Sequence, residues 1–373
     1  MQVVFGGRGS QMRTIHSRMM SVAGERTQYL SLEQIERVCA EVRSRLLVGN
    51  DAVTGALRRE LISISANGLR SSALGQGLFG PYTRRPGVVC LAGPGGVGKT
   101  YFAELVARIT YGERFSEHLI GVNCRSYFAG RFPPLPRAKL EAGPLAVLVL
   151  DGVELLPELP PVAALWADAV RYGRAALPAA GDQGQITQQE LAFNRCLIVA
   201  TANLGREQVA HIGFRPREAD EVGRAAATRL IRDALADLFD GAPGEVFPPD
   251  QWIVLPPLER EDMRRLVELQ LTALAELLPI GSPPIEITPA GAERLIEIAL
   301  RARSPNKTVA LVDHLRETVE PAVDGALLHH GAPIPLRVHL DVQGAAAEKA
   351  AAGGEGAEPA GLSVTIEPLP ARP

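Results

Sequence analysis

Gly93-Pro94-Gly95-Gly96-Val97-Gly98-Lys99-Thr100 is the stretch on which the reading of this chain turns. It satisfies G-x-x-x-x-G-K-[ST] at every required position. Its surroundings agree, since the apolar run Val88–Ala92 precedes it and the helical pattern Lys99–Thr110 follows. Glycines at these places let successive backbone N–H groups turn inward around phosphate oxygens, and a helix N-terminus adds its partial positive charge. In such a loop Lys99 reaches the β- and γ-phosphates of ATP, and the Thr100 hydroxyl holds Mg²⁺. The expected nucleotide contacts are Gly93, Pro94, Gly95, Gly96, Val97, Gly98, Lys99, Thr100 and the following Tyr101.

A phosphate loop of this kind needs an acid at the end of a buried strand. Val147-Leu148-Val149-Leu150-Asp151 supplies one, so Asp151 joins Thr100 as the expected Mg²⁺ ligand pair. Further apolar runs at Leu119–Val122, Cys196–Ala200 and Trp252–Leu255 complete a set of five strands. Strands alternating with helical stretches predict a five-stranded parallel sheet with helices on both faces. Asn203, just past the fourth run, is placed to orient water near the γ-phosphate.

Upstream, Leu32, Ile35, Val38, Val42, Leu46 and Leu47 recur at helical spacing, with Ser31 and Gln34 as a capping box. A second helix spans Asp51–Ile64, and a Gly/Ser-rich linker runs from Asn67 to Pro86. Beyond Pro257 three helices are expected at Glu259–Leu278, Pro289–Ala302 and Lys307–Leu328. Two β-like runs follow, Ile334–Val342 and Leu362–Pro368, separated by an Ala/Gly/Glu tract. The predicted organisation is an N-terminal segment over 1–30, disordered or extended, an ATPase core over 31–257 and a small domain over 258–373. That small domain carries a flexible loop at 344–361.

The 373 residues carry a net charge of −3, with 46% hydrophobic and 22% charged residues, so no basic footprint points to nucleic acid. No apolar stretch approaches the ~18 residues of a membrane span. Four scattered cysteines fit neither a disulfide framework nor a metal site, and a cytoplasmic location is expected. The Arg-bearing, acid-poor first two dozen residues read as a disordered or misassigned start, or else as a transit peptide.

Together these motifs resemble the Clp-type branch of AAA+ ATPases, in particular the second ATPase ring of the ClpA/ClpB disaggregases and unfoldases. Leu47-Val48-Gly49-Asn50-Asp51-Ala52-Val53 is similar to the family's nucleotide-base motif, with Asn50 where Gln is usual, and makes Val48 a nucleotide contact. The phosphate loop and the Asp151 strand follow in the family's order. Thr201-Ala202-Asn203-Leu204-Gly205 resembles the sensor-1 segment, and Pro256-Pro257-Leu258-Glu259-Arg260-Glu261-Asp262 resembles the way into the helical lid. The resemblance implies an αβα AAA+ core, a helical lid with a β-hairpin, a ring assembly and protein partners, a competent AAA+ ATPase among them. Neither nucleic acid nor membrane is an expected partner.

Four departures weigh against the full family mechanism. The family follows its strand-end Asp with a water-polarising Glu, whereas Asp151 is followed by Gly152. Glu154 stands nearby at a place where the family also carries an acid, so it matches rather than replaces the missing Glu but can still be recruited; loss of a general base typically costs ~10²–10⁴ in rate. The stretch Tyr127-Phe128-Ala129-Gly130-Arg131-Phe132-Pro133-Pro134 is shorter than the family's pore loop. Where an arginine finger is usual stands Leu238-Phe239-Asp240-Gly241-Ala242, and Arg229 and Arg232 read as surface. The sensor-2 position falls to Lys307 or Arg303, with Asn306 as a helix cap. Groups that hold nucleotide persist and groups that cleave it are eroded. This pattern predicts a nucleotide-dependent switch or assembly factor with weak or absent ATP hydrolysis. The alternatives are a working ATPase that remodels proteins without threading them, and a scaffold with a vestigial loop.

Overall fold

The computed structural model describes residues 29–74, 85–128, 135–141, 143–180, 186–204, 221–240, 246–275, 278–301, 307–330, 334–342 and 362–369. Two compact units divide the chain. The first holds residues 1–93, 98–208 and 228–255, and the second holds residues 94–97, 209–227 and 256–373.

Helix α1 (Leu32–Arg45) opens the described part, and both reciprocal hydrogen bonds of the Ser31–Gln34 capping box are formed. Its stripe of Ile35, Val38, Cys39 and Val42 is buried. Helix α2 (Asn50–Leu74) is longer than the sequence pattern suggests, extending through Asn67–Leu74 into the stretch read as linker. Gly68 alone costs a helix only about 1 kcal/mol, and no proline intervenes before Pro81. The remainder of that linker, residues 75–84, lies outside the described residues.

Next come β1 (Gly87–Gly93), α3 (Lys99–Tyr111), β2 (Leu119–Asn123), the short helices α4 (Arg125–Phe128) and α5 (Arg137–Glu141), and β3 (Ala146–Asp151). They are followed by α6 (Pro160–Tyr172), β4 (Arg174–Ala180), β5 (Ile186–Ala192), β6 (Cys196–Asn203), α7 (Glu221–Leu238) and β7 (Trp252–Val254). The main sheet has five strands in the order β2-β3-β6-β1-β7. Every neighbouring pair is parallel. Parallel strands covered on both faces should be apolar throughout, and the first five residues of β3 and the first seven of β6 are indeed buried.

All five strands therefore end on one edge. The order places β6 between β1 and β3, the arrangement in which open α/β sheets leave a crevice at the strand C-termini. A second, two-stranded sheet is among the elements that the sequence pattern does not announce. Strands β4 and β5 pair antiparallel as a separate hairpin, entered through Gly173 in a left-handed conformation (φ 67) that stops α6. Pro178 within β4 suits an edge strand of so small a sheet.

The second unit contains α8 (Arg260–Ala275), β8 (Glu286–Ile287), α9 (Pro289–Arg301), α10 (Lys307–His330), β9 (Leu336–Val342) and β10 (Leu362–Pro368). β9 and β10 pair antiparallel over their full length, as the two β-like runs suggest, and the two-residue β8 adds to β9 in parallel. Leu295, Ile296, Leu311, Leu315, Val338 and Leu340 are fully buried within this unit. Glu293 joins Arg260 and Arg264, bracing α9 against α8. Arg224 pairs with Glu259 and Asp262 at the start of α8. The fold is an α/β AAA+-like core with a five-stranded parallel sheet and a smaller C-terminal helical and β region resembling a lid. The Ala/Gly/Glu tract, residues 343–361, lies outside the described residues.

Among the described residues no helix is long and apolar enough to cross a membrane. Nor does any group of three His, Cys, Asp or Glu there have the arrangement of a metal site. All four cysteines are free and buried.

Candidate nucleotide site

The glycine-rich loop leaves β1 and opens α3, and its backbone conformation depends on glycine. Gly96 and Gly98 take φ of +85° and +96°, which side chains with a Cβ rarely adopt. A Cβ added to Gly95 or Gly98 would meet no heavy atom within 4 Å. The loop backbone is thus uncovered at both positions, as a cradle that admits phosphate groups must be. At Gly93 the constraint is the reverse, because an added Cβ would fall 2.4 Å from the Leu255 carbonyl oxygen. Strand β7 is held close by the Leu255 N–H donating to the Ala92 carbonyl at 2.8 Å.

Leu255 also draws the 47–53 segment to the loop. A Cβ on Gly49 (φ +72) would lie 2.5 Å from Leu255 Cδ2, so this turn packs on the residue that caps the first glycine. Val48 is buried beside it. Asn50 opens α2 and its side-chain amide donates to the Arg43 carbonyl at 3.3 Å. Tyr101 projects from the first turn of α3 and remains 42% exposed. Its phenol is pushed up, chiefly by partial burial, with Arg45 at the end of α1 opposing that shift.

Lys99 is buried, and its Nζ donates to the Gly93 carbonyl at 2.8 Å. Burial lowers its pKa to about 8, against the attraction of Asp151 and Glu154, which favour the ammonium form. Thr100, next along the helix, is exposed. Asp151 ends β3 opposite Thr201 in the parallel register. Its Oδ1 accepts a hydrogen bond from the Thr201 hydroxyl at 2.5 Å.

Gly152 follows Asp151 in a left-handed conformation, φ +80° and ψ 39°, and caps the 3₁₀ turn Val153–Glu158. The N–H of Gly152 donates to the Thr201 carbonyl at 3.0 Å. Glu154 turns back from that 3₁₀ segment, and its Oε2 accepts the Asn203 N–H at 3.2 Å. Burial raises the Glu154 pKa above the usual carboxylate value; hydrogen bonds from its own N–H and from Asn203 oppose this, Asp151 adds to it, and Lys99 opposes it. Asn203, the last residue of β6, lies opposite Gly93 in register and is exposed. Within the first unit the fold therefore brings together Gly93, Lys99, Asp151, Glu154 and Asn203.

In the second unit, Lys307 is the first residue of α10, and the hydroxyl of the next residue, Thr308, donates to the Gly96 carbonyl at 2.8 Å. The start of that helix thus touches the crown of the loop. Arg229 and Arg232 are exposed on α7. Arg303 and Asn306, with residues 129–134, 205 and 241–242, lie outside the described residues.

Three contributors escaped the sequence reading. Thr201 gave one signal, as a lone hydroxyl inside the otherwise apolar run Cys196–Ala202. Thr308 and Leu255 gave none, because their roles are contacts made across the fold.

No protein-family model matches the chain. The chloroplastic chaperone protein ClpB3 of Arabidopsis thaliana is 23% identical over 306 residues, 77% of this chain and 28% of that protein. Chaperone protein ClpB of Rhodopirellula baltica is 24% identical over 280 residues, 71% of this chain and 30% of that protein. This chain is a distant relative of the Clp-type AAA+ chaperones. It spans less than a third of the length of these ClpB relatives. A solved structure described as a closed-state cryo-EM reconstruction of Hsp104 with ATPγS and FITC-casein is 18% identical, covering 90% of this chain and 51% of that one, with a TM-score of 0.48. A P-loop in an AAA+-like fold is consistent with nucleotide binding, and the loop backbone uncovered at Gly95 and Gly98 beside the buried Lys99 leaves room for phosphate groups.

Proposed function

We propose that this chain binds Mg·ATP and acts as a degenerate second-ring-type Clp module, a nucleotide-dependent switch or assembly and remodelling factor that hydrolyses ATP slowly. The observation that carries this reading is the left-handed Gly152 beside an intact phosphate loop. The loop amides and Lys99 hold charge, while the place after Asp151 carries no side chain.

The residues divide the work as follows. Amides of Gly95 to Lys99 would hold the phosphates, and Lys99 would exchange the Gly93 carbonyl for a phosphate oxygen. That carbonyl keeps the Leu204 N–H at 3.2 Å as its partner, so releasing Lys99 leaves no orphaned acceptor. Thr100 and Asp151 would hold Mg²⁺, which supplies neutralisation of phosphate charge when bound. Thr201 keeps the Asp151 carboxylate in one orientation. Val48 and Tyr101 line the approach for the base. Lys307, at the start of the helix that touches Gly96, is assigned to the sensor-2 role, and Asn203 to that of sensor 1.

The distant relationship to the ClpB chaperones supports protein partners, the motif resemblance supports a ring assembly, and a competent AAA+ ATPase is the partner that a slow module would serve. Melting the protein with and without Mg·ATP tests the reading. Saturation at ~100 times the Kd should add about 2.7 kcal/mol of stability, with turnover far below that of an active remodeller. An unchanged melting temperature would instead favour a scaffold with a vestigial loop.

A further inference from the structure

Two carboxylates stand at the end of β3, and the structure treats them differently. Asp151 is held by a buried hydroxyl, that of Thr201. Glu154 reaches back across the turn. Its Oε2 is fixed by the Asn203 N–H, and its Oε1 lies 3.9 Å from where a Cβ on Gly152 would stand. The carboxylate of residue 154 therefore fills space beside the position that has no side chain of its own. A backbone at φ +80° disfavours any side chain at 152, so an acid arriving from 154 is the one this turn can accommodate. Burial also raises the proton affinity of Glu154.

We infer that Glu154 is the general base of this site, taking the proton of the water that attacks ATP. The inference rests on the loop being an ATP site. As the water oxygen bonds to the γ-phosphorus, the bond to the β–γ bridging oxygen breaks and its electron pair leaves on ADP. The water proton passes to Oε1 of Glu154 and from there to solvent. The backbone of Asn203 positions the base by holding Oε2. Slow turnover is then a property of a base presented from the 3₁₀ turn rather than from the strand end.

The test compares the full-length wild type with Glu154→Gln, Glu154→Asp and a Lys99→Ala reference. Three quantities are read: Mg·ATP turnover, the melting shift caused by Mg·ATP, and the ¹³C NMR titration of the Glu154 carboxyl in the unliganded protein. The expected result is a wild-type turnover clearly above that of Lys99→Ala. In Glu154→Gln it falls ~10²-fold or to that reference, while the Mg·ATP melting shift is kept. Glu154→Asp, with its shorter reach, falls in between, and the Glu154 carboxyl titrates above the ordinary glutamate range. Turnover in Glu154→Gln equal to wild type would overturn the inference, as would wild-type turnover no higher than that of Lys99→Ala. An ordinary titration, or loss of turnover only together with the melting shift, would also overturn it. In the first two cases a persisting wild-type melting shift leaves the ATP-binding reading standing. Loss of that shift in the wild type removes both.

Discussion

The hydroxyl of Thr201 donates to Oδ1 of Asp151 at 2.5 Å, across the parallel register that sets the ends of β6 and β3 side by side. Thr201 has no solvent exposure, so its hydroxyl has few alternative partners and holds the carboxylate in one orientation. A Mg²⁺ ligand gains from that restriction, because an oriented oxygen need not be ordered on binding.

Thr201→Val keeps the shape and removes the donor. The expected outcome is a loss of about tenfold or more in affinity for Mg·ATP, with affinity for metal-free ATP changed much less. Thr201→Ser should restore most of the difference. Calorimetric titration with and without Mg²⁺ checks this, and equal losses in both conditions would reduce Thr201 to a packing residue.

Lys99 offers a pH-dependent test. Its folded-state pKa is about 8 against an ordinary 10.5, so the unfolded chain binds this proton more tightly. The charged, buried lysine therefore costs stability in full below about pH 8, and the cost fades as pH rises toward 10.5. The pKa difference corresponds to about 3 kcal/mol. Unliganded Lys99→Met should melt above wild type at pH 7, with the gap closing by pH 10, and should lose its response to Mg·ATP. In the wild type, Mg·ATP affinity should weaken as pH climbs through 8, because phosphate favours the ammonium form.

Restoring an acid beside Asp151 should not rescue fast hydrolysis. Space is available, since an added Cβ at Gly152 meets nothing nearer than 3.8 Å. The backbone, however, is left-handed there, which costs a side-chain-bearing residue roughly 1–2 kcal/mol. Gly152→Glu should lower the melting temperature and leave turnover within a few-fold of wild type. A rise of 10²-fold would mean that the turn readily adopts another conformation.

Gly93→Ala probes a different constraint. Its Cβ would sit 2.4 Å from a backbone carbonyl, that of Leu255, and a main-chain atom cannot rotate away. The expected cost is more than about 2 kcal/mol, beyond the central range for point mutants, with Mg·ATP binding lost as the loop is displaced from β7. Urea unfolding of the variant provides the check.

Much of this could be read along the chain. The spacing of Gly93, Gly98, Lys99 and Thr100 determined the loop. The apolar runs before Gly93, Asp151 and Asn203 determined a buried parallel sheet, because strands covered on both faces have no polar alternation to disguise them. The Ser31–Gln34 box determined where α1 starts, since capping is chemistry between residues three apart. Such features are local, and local chemistry is written in sequence. The pairing of β4 and β5 was not legible, because β4 carries Pro178 and neither short strand has a strong period. The continuation of α2 to Leu74 was equally hidden, as helix formers and small residues there are balanced too closely for propensity to decide. Only the tertiary structure brought Thr201 to Asp151, Asn203 to Glu154, Leu255 to Gly49 and Gly93, and Thr308 to Gly96. Those partners lie 49 to 212 residues apart. Their meeting is set by strand order and register, which no spacing along the chain encodes.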